Sequence, residues 1–196
     1  MTIESPPAPH VGPPGRRVHI IGAAGSGKTF LAAALAKALN VQHVQLDRLA
    51  FTPRHDIVAW PQRYAAAVSL AVGPGWICEG IYLGWTEPLL AAADTIVWLD
   101  LPWWTSTRRI VSRHARNSLR GENEWKGVRL LLRFLWSTRL YYLGPAGEPA
   151  EEHADELNSR RMVMAALAPY HAKVTRCRNR GEVAALIARL SFASAQ

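Results

Sequence analysis

Lysine is scarce in this chain. Of 23 basic residues only Lys28, Lys37, Lys126 and Lys173 are Lys; the other 19 are Arg, and against 15 acidic residues they give a net charge of +8. Arg offers a planar fork for bidentate contact with phosphate or carboxylate. Arg richness also follows from genomic base composition, so the charge points to anionic ligands in general and does not single out nucleic acid. Cysteine is scarcer still. Cys78 and Cys177 are too few for a disulfide scaffold, and their apolar contexts read as buried free thiols in a reducing cytoplasm. No apolar run reaches the ~18 residues of a membrane-spanning helix. The start, MTIESPPAPHVGPPGRR, has no apolar signal-peptide core. It is rich in Pro and Gly and reads as a flexible arm over residues 1–15, followed by one domain over 16–196.

What is present alternates between strand-like and helix-like runs. RVHIIG (17–22), Val41–Leu46, Trp76–Cys78, TIVWL (95–99) and Lys173–Cys177 read as strands. Between and after them, Lys28–Asn40, Ile57–Val72, Glu87–Ala93, Trp104–Leu119, Val128–Leu143, Glu151–Leu167 and Glu182–Leu190 read as helices. The expected fold class is α/β: three α/β/α layers around a five-stranded parallel sheet. Ligands of such sheets bind outside the carboxyl ends of the strands. That rule gathers Gly22, Asp47, Glu79 and Asp100 on one rim, since each closes an expected strand.

The octet GAAGSGKT fits the G-x-x-x-x-G-K-[ST] phosphate loop at every fixed position, between an apolar strand and a helix. Its glycines let the backbone wrap an anion without Cβ clashes, and the following helix adds its positive end. Gly22, Ala23, Ala24, Gly25, Ser26, Gly27, Lys28 and Thr29 are therefore expected to hold ATP. Lys28 would bridge the β- and γ-phosphates, and Thr29 would ligate Mg²⁺. No N-K-x-D or T-K-x-D segment occurs, which argues against a GTPase, and 196 residues leave little room for a mechanical ATPase. A small-molecule or nucleotide kinase needs an acceptor site on the rim, a helical lid and arginines for the moving phosphoryl group. Arg109, Arg113, Arg116 and Arg120 are spaced 4, 3 and 4 apart, along one helix face. Arg109, Arg113 and Arg116 are the catalytic candidates among them, in a lid spanning about 108–143.

The order GAAGSGKT, LDRLAF (46–51), WICEGIY (76–82), DTIVWLDLP (94–102) and the Arg-rich 108–120 resembles the adenylate-kinase-like phosphate-loop family called topology modulation proteins. That family is related in fold to nucleoside monophosphate, shikimate and gluconate kinases. The resemblance covers roughly residues 17–192. It implies a P-loop kinase fold, with Asp47 as the carboxylate at the acceptor hydroxyl. It also implies Glu79 as a second carboxylate that holds Mg²⁺ or acts as base, and Arg178 near the adenine. Two departures stand out. Where the family favours E-G-N-Y this chain has Glu79–Gly80–Ile81–Tyr82, and where the lid often reads G-N-R-E it has Gly121–Glu122–Asn123–Glu124. An amide and an arginine are lost, so the acceptor is open. Asp100 reads as structural, pairing with an Arg or capping a helix. Arg160 and Arg161 are further arginine candidates, and Trp85, Trp103, Trp104 and Trp125 either pack or stack on a flat acceptor.

The expectation is an ATP- and Mg²⁺-dependent phosphotransferase acting on a small hydroxyl- or phosphate-bearing acceptor, a monomer or homodimer without a membrane partner. The alternative is a nucleic-acid-associated ATP-binding protein or ATPase. It rests on the net charge and on nine Arg and Lys against two Glu over 108–139, and it predicts binding that weakens steeply with salt.

Overall fold

The structure, a computed structural model, describes residues 15–121, 128–144 and 158–193. The elements run β1 (Arg17–Gly22), α1 (Lys28–Leu39), β2 (Gln42–Gln45), α2 (Asp47–Ala50), α3 (Trp60–Ala71), β3 (Trp76–Glu79), α4 (Glu87–Ala92) and β4 (Thr95–Leu99). They continue with α5 (Trp103–Arg120), α6 (Val128–Leu143), α7 (Arg160–Leu167), a 3₁₀ segment Ala168–Lys173, β5 (Val174–Cys177) and α8 (Arg180–Ala193).

The sheet is parallel throughout, in the order β2-β3-β1-β4-β5. The expected fold class holds. Side chains alternate along each strand, and each face has its own core. Val18, Ile20, Ile77, Val97 and Leu99 pack with Leu31 and Leu35 of α1 and Leu186 of α8. Ile21, Trp76, Cys78, Ile96 and Trp98 meet Ala67 of α3, Leu89 of α4 and Val163 of α7 on the other face. Because both faces are covered, the central strands β1, β3 and β4 are mostly apolar, which is why RVHIIG and TIVWL stood out in the sequence, whereas the edge strands β2 (QHVQ) and β5 (VTRC) are not. Trp76 and Trp85 are fully buried; burying a large apolar side chain contributes roughly 1.5–3 kcal/mol. Cys78 and Cys177 are buried free thiols, as expected. Among the described residues no helix is long and apolar enough to cross a membrane.

Several local expectations shift: α3 starts at Trp60 and not Ile57, α8 starts at Arg180 and not Glu182, and the short helix α2 follows β2. The third strand includes Glu79, so this carboxylate is the last rung of β3. The helix expected over 151–167 is described as Arg160–Leu167, with residues 151–157 outside the described set. Ser159 caps it by accepting from the Met162 N–H. Past Leu167 the chain continues as a 3₁₀ segment containing Pro169, which takes in Lys173 and so shortens β5 by one residue.

One buried residue in β1 is polar. His19 is fully buried between Cys78 of β3 and Ile96 of β4, and neither ring nitrogen has a partner among the described residues. Burial pulls its pKa down from 6.5 to about 3. The folded value lies below the unfolded one, so the unfolded chain binds the extra proton. Stability is therefore complete above about pH 6.5 and falls as the pH drops from there toward 3. The loss expected from this one group is about 2 kcal/mol by pH 5. Urea midpoints at pH 7.5 and pH 5 check this: His19→Leu should show a much smaller drop than the wild type, and an equal drop refutes the assignment.

Candidate active site

β1 lies in the middle of the sheet, with β3 on one side and β4 on the other, and the loop leaving its carboxyl end enters the crevice between them. The backbone turns at once: the Ser26 N–H donates to the Ala23 carbonyl at 3.1 Å. Gly25 (φ +75°) and Gly27 (φ +97°) take left-handed conformations. A Cβ on Gly25 would lie 2.7 Å from the Ser106 carbonyl oxygen, so the loop seats against α5 only with glycine there. Gly27 then opens α1 without any side-chain cap on the free N–H groups of its first turn. The Lys28 ammonium reaches back over the loop to donate to the Ala23 carbonyl at 3.1 Å. The octet contains no carboxylate, and the Ser26 hydroxyl is buried without a partner among the described residues. An uncapped helix start, an ammonium and two hydroxyls with no acid among them suit a phosphate chain.

The carboxylates arrive from the neighbouring strands. Gly80 N–H donates to the Ile20 carbonyl and Leu46 N–H to the Glu79 carbonyl, which aligns the ends of β1, β3 and β2. Glu79 is buried, and its Oε1 accepts from the Thr29 hydroxyl at 2.8 Å. A hydroxyl and a carboxylate oxygen side by side are the hard donors Mg²⁺ takes, the remaining positions being filled by waters and phosphates. Asp47 begins the short helix α2, and its Oδ1 accepts from the Tyr82 hydroxyl at 2.7 Å. Burial pushes the Tyr82 phenol up, and the Asp47 carboxylate pushes it further, so Tyr82 stays a donor. Lys28 feels both carboxylates: burial lowers its pKa, Glu79 and Asp47 raise it, and Arg113 lowers it, with a net shift downward. Beyond Asp47 opens a pocket of about 580 Å³ that Tyr82 also lines.

The arginine stripe divides. Arg109 reaches the loop, and its Nη1 donates to the Ser26 carbonyl at 2.5 Å and the Gly25 carbonyl at 3.4 Å. Burial lowers its pKa, and the charge of Arg180 lowers it further. Arg113, one turn on, acts electrostatically on Lys28. Arg116 is not brought to the site. It is exposed, two turns past Arg109, and bonds the Ser112 carbonyl of its own helix at 3.4 Å. Arg178 is exposed, and its backbone N–H donates to Glu182 at 2.6 Å; at this corner Arg180 is the residue whose charge reaches Arg109. Glu122, Asn123, Glu124 and Trp125 lie outside the described residues.

Asp100 is structural. Arg160 grips both its oxygens, at 2.7 and 2.8 Å, and Arg176 approaches at 2.9 Å while stacking 4.4 Å over the Trp98 ring. Burial alone would raise the Asp100 carboxyl, but the two guanidiniums outweigh it and hold the carboxyl below its usual range. Arg160 is thereby committed to tying α7 to the rim. Sequence reading passed over Arg63 of α3, which is buried with its guanidinium 5.9 Å from the Trp85 ring and whose charge bears on Tyr82. It also passed over Arg48 and His55, which line the pocket. A buried arginine in an amphipathic helix carries no spacing signal, and the pocket residues sit in a turn with no motif.

The chain has a P-loop kinase fold. A gluconokinase from Sinorhizobium meliloti 1021 superposes over 94% of this chain and 93% of its own, with a TM-score of 0.51 and 16% identity. A shikimate kinase from Bacteroides thetaiotaomicron aligns over 92% of this chain and 98% of its own, with a TM-score of 0.47 and 16% identity. Likeness at this level of identity is one of fold. The uncharacterized protein YqaC of Bacillus subtilis (strain 168) is 32% identical over 91 residues, 44% of this chain. The match spans half of that relative's length. No family model matches the chain.

Proposed function

We propose that the protein is an ATP-dependent phosphotransferase that moves the γ-phosphoryl group of ATP to a small hydroxyl- or phosphate-bearing acceptor, a reading in keeping with the topology-modulation resemblance. One observation carries this reading. The Lys28 ammonium lies on the phosphate loop and within electrostatic reach of both Glu79 and Asp47, and Asp47 borders an open pocket. A donor loop and an acceptor pocket thus share one cation.

The roles follow from position. The loop amides and Lys28 hold the β- and γ-phosphates. Thr29 and Glu79 would hold Mg²⁺, which neutralises phosphate charge when bound. Asp47 orients the acceptor hydroxyl and takes its proton as the hydroxyl oxygen forms the new P–O bond. The bond to the bridging β–γ oxygen breaks, and ADP leaves with the electron pair. Arg109 fixes the loop from α5, while Arg113, whose charge reaches Lys28, meets charge on the moving group in this reading. In this reading α5 and α6 are the lid that excludes water.

A screen of ADP release tests the proposal, with nucleoside monophosphates, nucleosides, sugar acids and hydroxylated metabolites offered beside ATP and Mg²⁺. At least one acceptor should raise turnover well above the basal rate. If none does, the transfer reading falls. One observation favours the second reading, a nucleic-acid-associated ATPase: α5 and α6 carry eight Arg and no acidic residue. Stimulation of ATP hydrolysis by DNA or RNA, without any small acceptor, would decide for it.

A further inference from the structure

α6 is packed against the domain on one side. Thr138 and Tyr141 are buried, and Leu131, Leu135 and Tyr142 are half-buried. The Tyr142 hydroxyl donates to the Leu101 carbonyl at 2.9 Å, and the Tyr141 hydroxyl accepts from the Trp98 ring N–H at 3.3 Å. These bonds fix which face of the helix meets the domain. The opposite face is apolar and uncovered. Val128, Leu132, Trp136 and Leu143 are between 59% and 66% exposed, and Leu140 is 40% exposed. At about 100° per residue these five fall within an arc of roughly 120°. Arg129 and Arg139 lie within that arc and Arg133 at its edge, and all three are exposed. The Arg139 guanidinium stands 5.5 Å from the centre of the Trp136 ring.

A single apolar side chain on a surface needs no explanation, but several along one helix face form a patch that marks an interaction surface. The arginines decide what covers it. α5 and α6 together carry eight Arg and no acidic residue. A second copy docked here about a twofold axis would set α6 against α6 and arginine against arginine, with no carboxylate on α5 or α6 to answer them. A nucleic acid would answer the arginines with phosphates but leave Leu132, Leu140 and Leu143 against water or polar backbone. A protein groove that takes a helix lines up its apolar anchors, and here it would have to desolvate Arg129 and Arg139 among them. An anionic lipid surface accepts the mixture. Its phosphates take the guanidinium heads while the arginine stems lie along apolar surface, and the acyl boundary takes the leucines. Tryptophan suits that depth, with an apolar body and an N–H at its edge. The lack of a helix long and apolar enough to cross a membrane among the described residues excludes crossing, not lying on the surface.

We infer that the outward face of α6 docks the protein on a bilayer surface containing anionic lipid. Leu132, Trp136, Leu140 and Leu143 enter the boundary between headgroups and acyl chains, and Arg129, Arg133 and Arg139 meet the lipid phosphates. The contact is peripheral and reversible, because one helix face buries only a few apolar side chains and relies on charge for the rest. Docking of this kind holds whether the phosphate loop serves transfer or hydrolysis, since it uses the face of α6 turned away from the domain.

Cosedimentation of the full chain with vesicles tests this, using phosphatidylcholine alone and phosphatidylcholine mixed with phosphatidylglycerol. The mixed vesicles should bind the protein roughly tenfold or more tightly than the neutral ones. Each arginine near an anionic surface is worth about fivefold in partitioning, so Arg129→Gln combined with Arg133→Gln should lower binding by about 10- to 30-fold. Leu132→Ser combined with Trp136→Ser should lower it by about tenfold or more. Thermal unfolding of both variants should match the wild type, because all four side chains are exposed. A fluorophore attached at Leu140→Cys reads insertion on a face that keeps its other residues, with Cys78 and Cys177 buried. Its emission should shift to the blue with mixed vesicles and stay unchanged with neutral ones. No vesicle binding, binding that ignores Leu132 and Trp136, or a silent fluorophore overturns the inference. A dimer in sedimentation that Trp136→Ser dissociates assigns the face to a second copy and overturns it as well. So does DNA or RNA binding that needs Leu132 and Trp136 where vesicles fail to bind.

Discussion

Lys28→Ala should lower phosphoryl transfer by on the order of 10³-fold and weaken ATP binding by about tenfold or more. The reason lies in the charges that the lysine balances. Its ammonium donates to the Ala23 carbonyl of the loop and feels the charges of the rim carboxylates Glu79 and Asp47. Removing it leaves the phosphates facing two acids, with Arg109 turned onto the Ser26 and Gly25 carbonyls of the loop. Lys28→Arg should not rescue: a planar fork cannot replace a compact point charge at the turn between Ala23 and α1. Steady-state kinetics with the acceptor found in the screen, beside a direct ATP-binding measurement, check both parts. Wild-type turnover in Lys28→Ala would show that this loop does not carry the transfer.

The layered fold was legible because its strands are buried on both faces. VHII and TIVWL could hardly be anything else between helix-length amphipathic runs, and the parallel sheet then dictated which end the ligands use. The donor half of the site was legible for a different reason. A phosphate loop is a local device, whose eight residues make their own geometry and bring along an adjacent strand and helix. The rim carboxylates followed from strand ends, and the charges of Glu79 and Asp47 both reach Lys28.

What spacing could not show depends on contacts distant in sequence. A periodic stripe says that Arg109, Arg113 and Arg116 share a helix face. It does not say that α5, starting right after Pro102, sets Arg109 on the loop carbonyls, lets the charge of Arg113 reach Lys28 and leaves Arg116 exposed on its own helix. Asp100 was legible as an ion-pair partner, yet its partners Arg160 and Arg176 lie 60 and 76 residues away. The four-residue helix α2 is too short to have a period, and the 52–56 turn is closed by backbone bonds and one threonine hydroxyl. The pocket beside Asp47 is lined mostly by residues of those two pieces, with Tyr82, which is why sequence patterns left it blank.

Asp47→Asn should lower kcat by about 10²- to 10⁴-fold, the usual worth of a positioned general base, with KM for the acceptor little changed. The amide is a fair probe because it keeps the shape of the site. Its carbonyl oxygen can still accept the Tyr82 hydroxyl, now 2.7 Å from Asp47 Oδ1, so orientation survives while the proton acceptor is gone. Tyr82→Phe isolates the complementary loss. It leaves the base and removes one neutral donor, and a net hydrogen-bond contribution of about 0.5–1.5 kcal/mol translates into roughly a two- to tenfold effect. A large fall in kcat for Asp47→Asn beside a small one for Tyr82→Phe assigns the proton to Asp47 and leaves the tyrosine as its support. If Asp47→Asn keeps nearly full kcat, the base must be the other rim carboxylate. Glu79 then has to take the proton while it accepts the Thr29 hydroxyl at 2.8 Å, and Glu79→Gln, which keeps an oxygen for Thr29, should show the loss that Asp47→Asn did not.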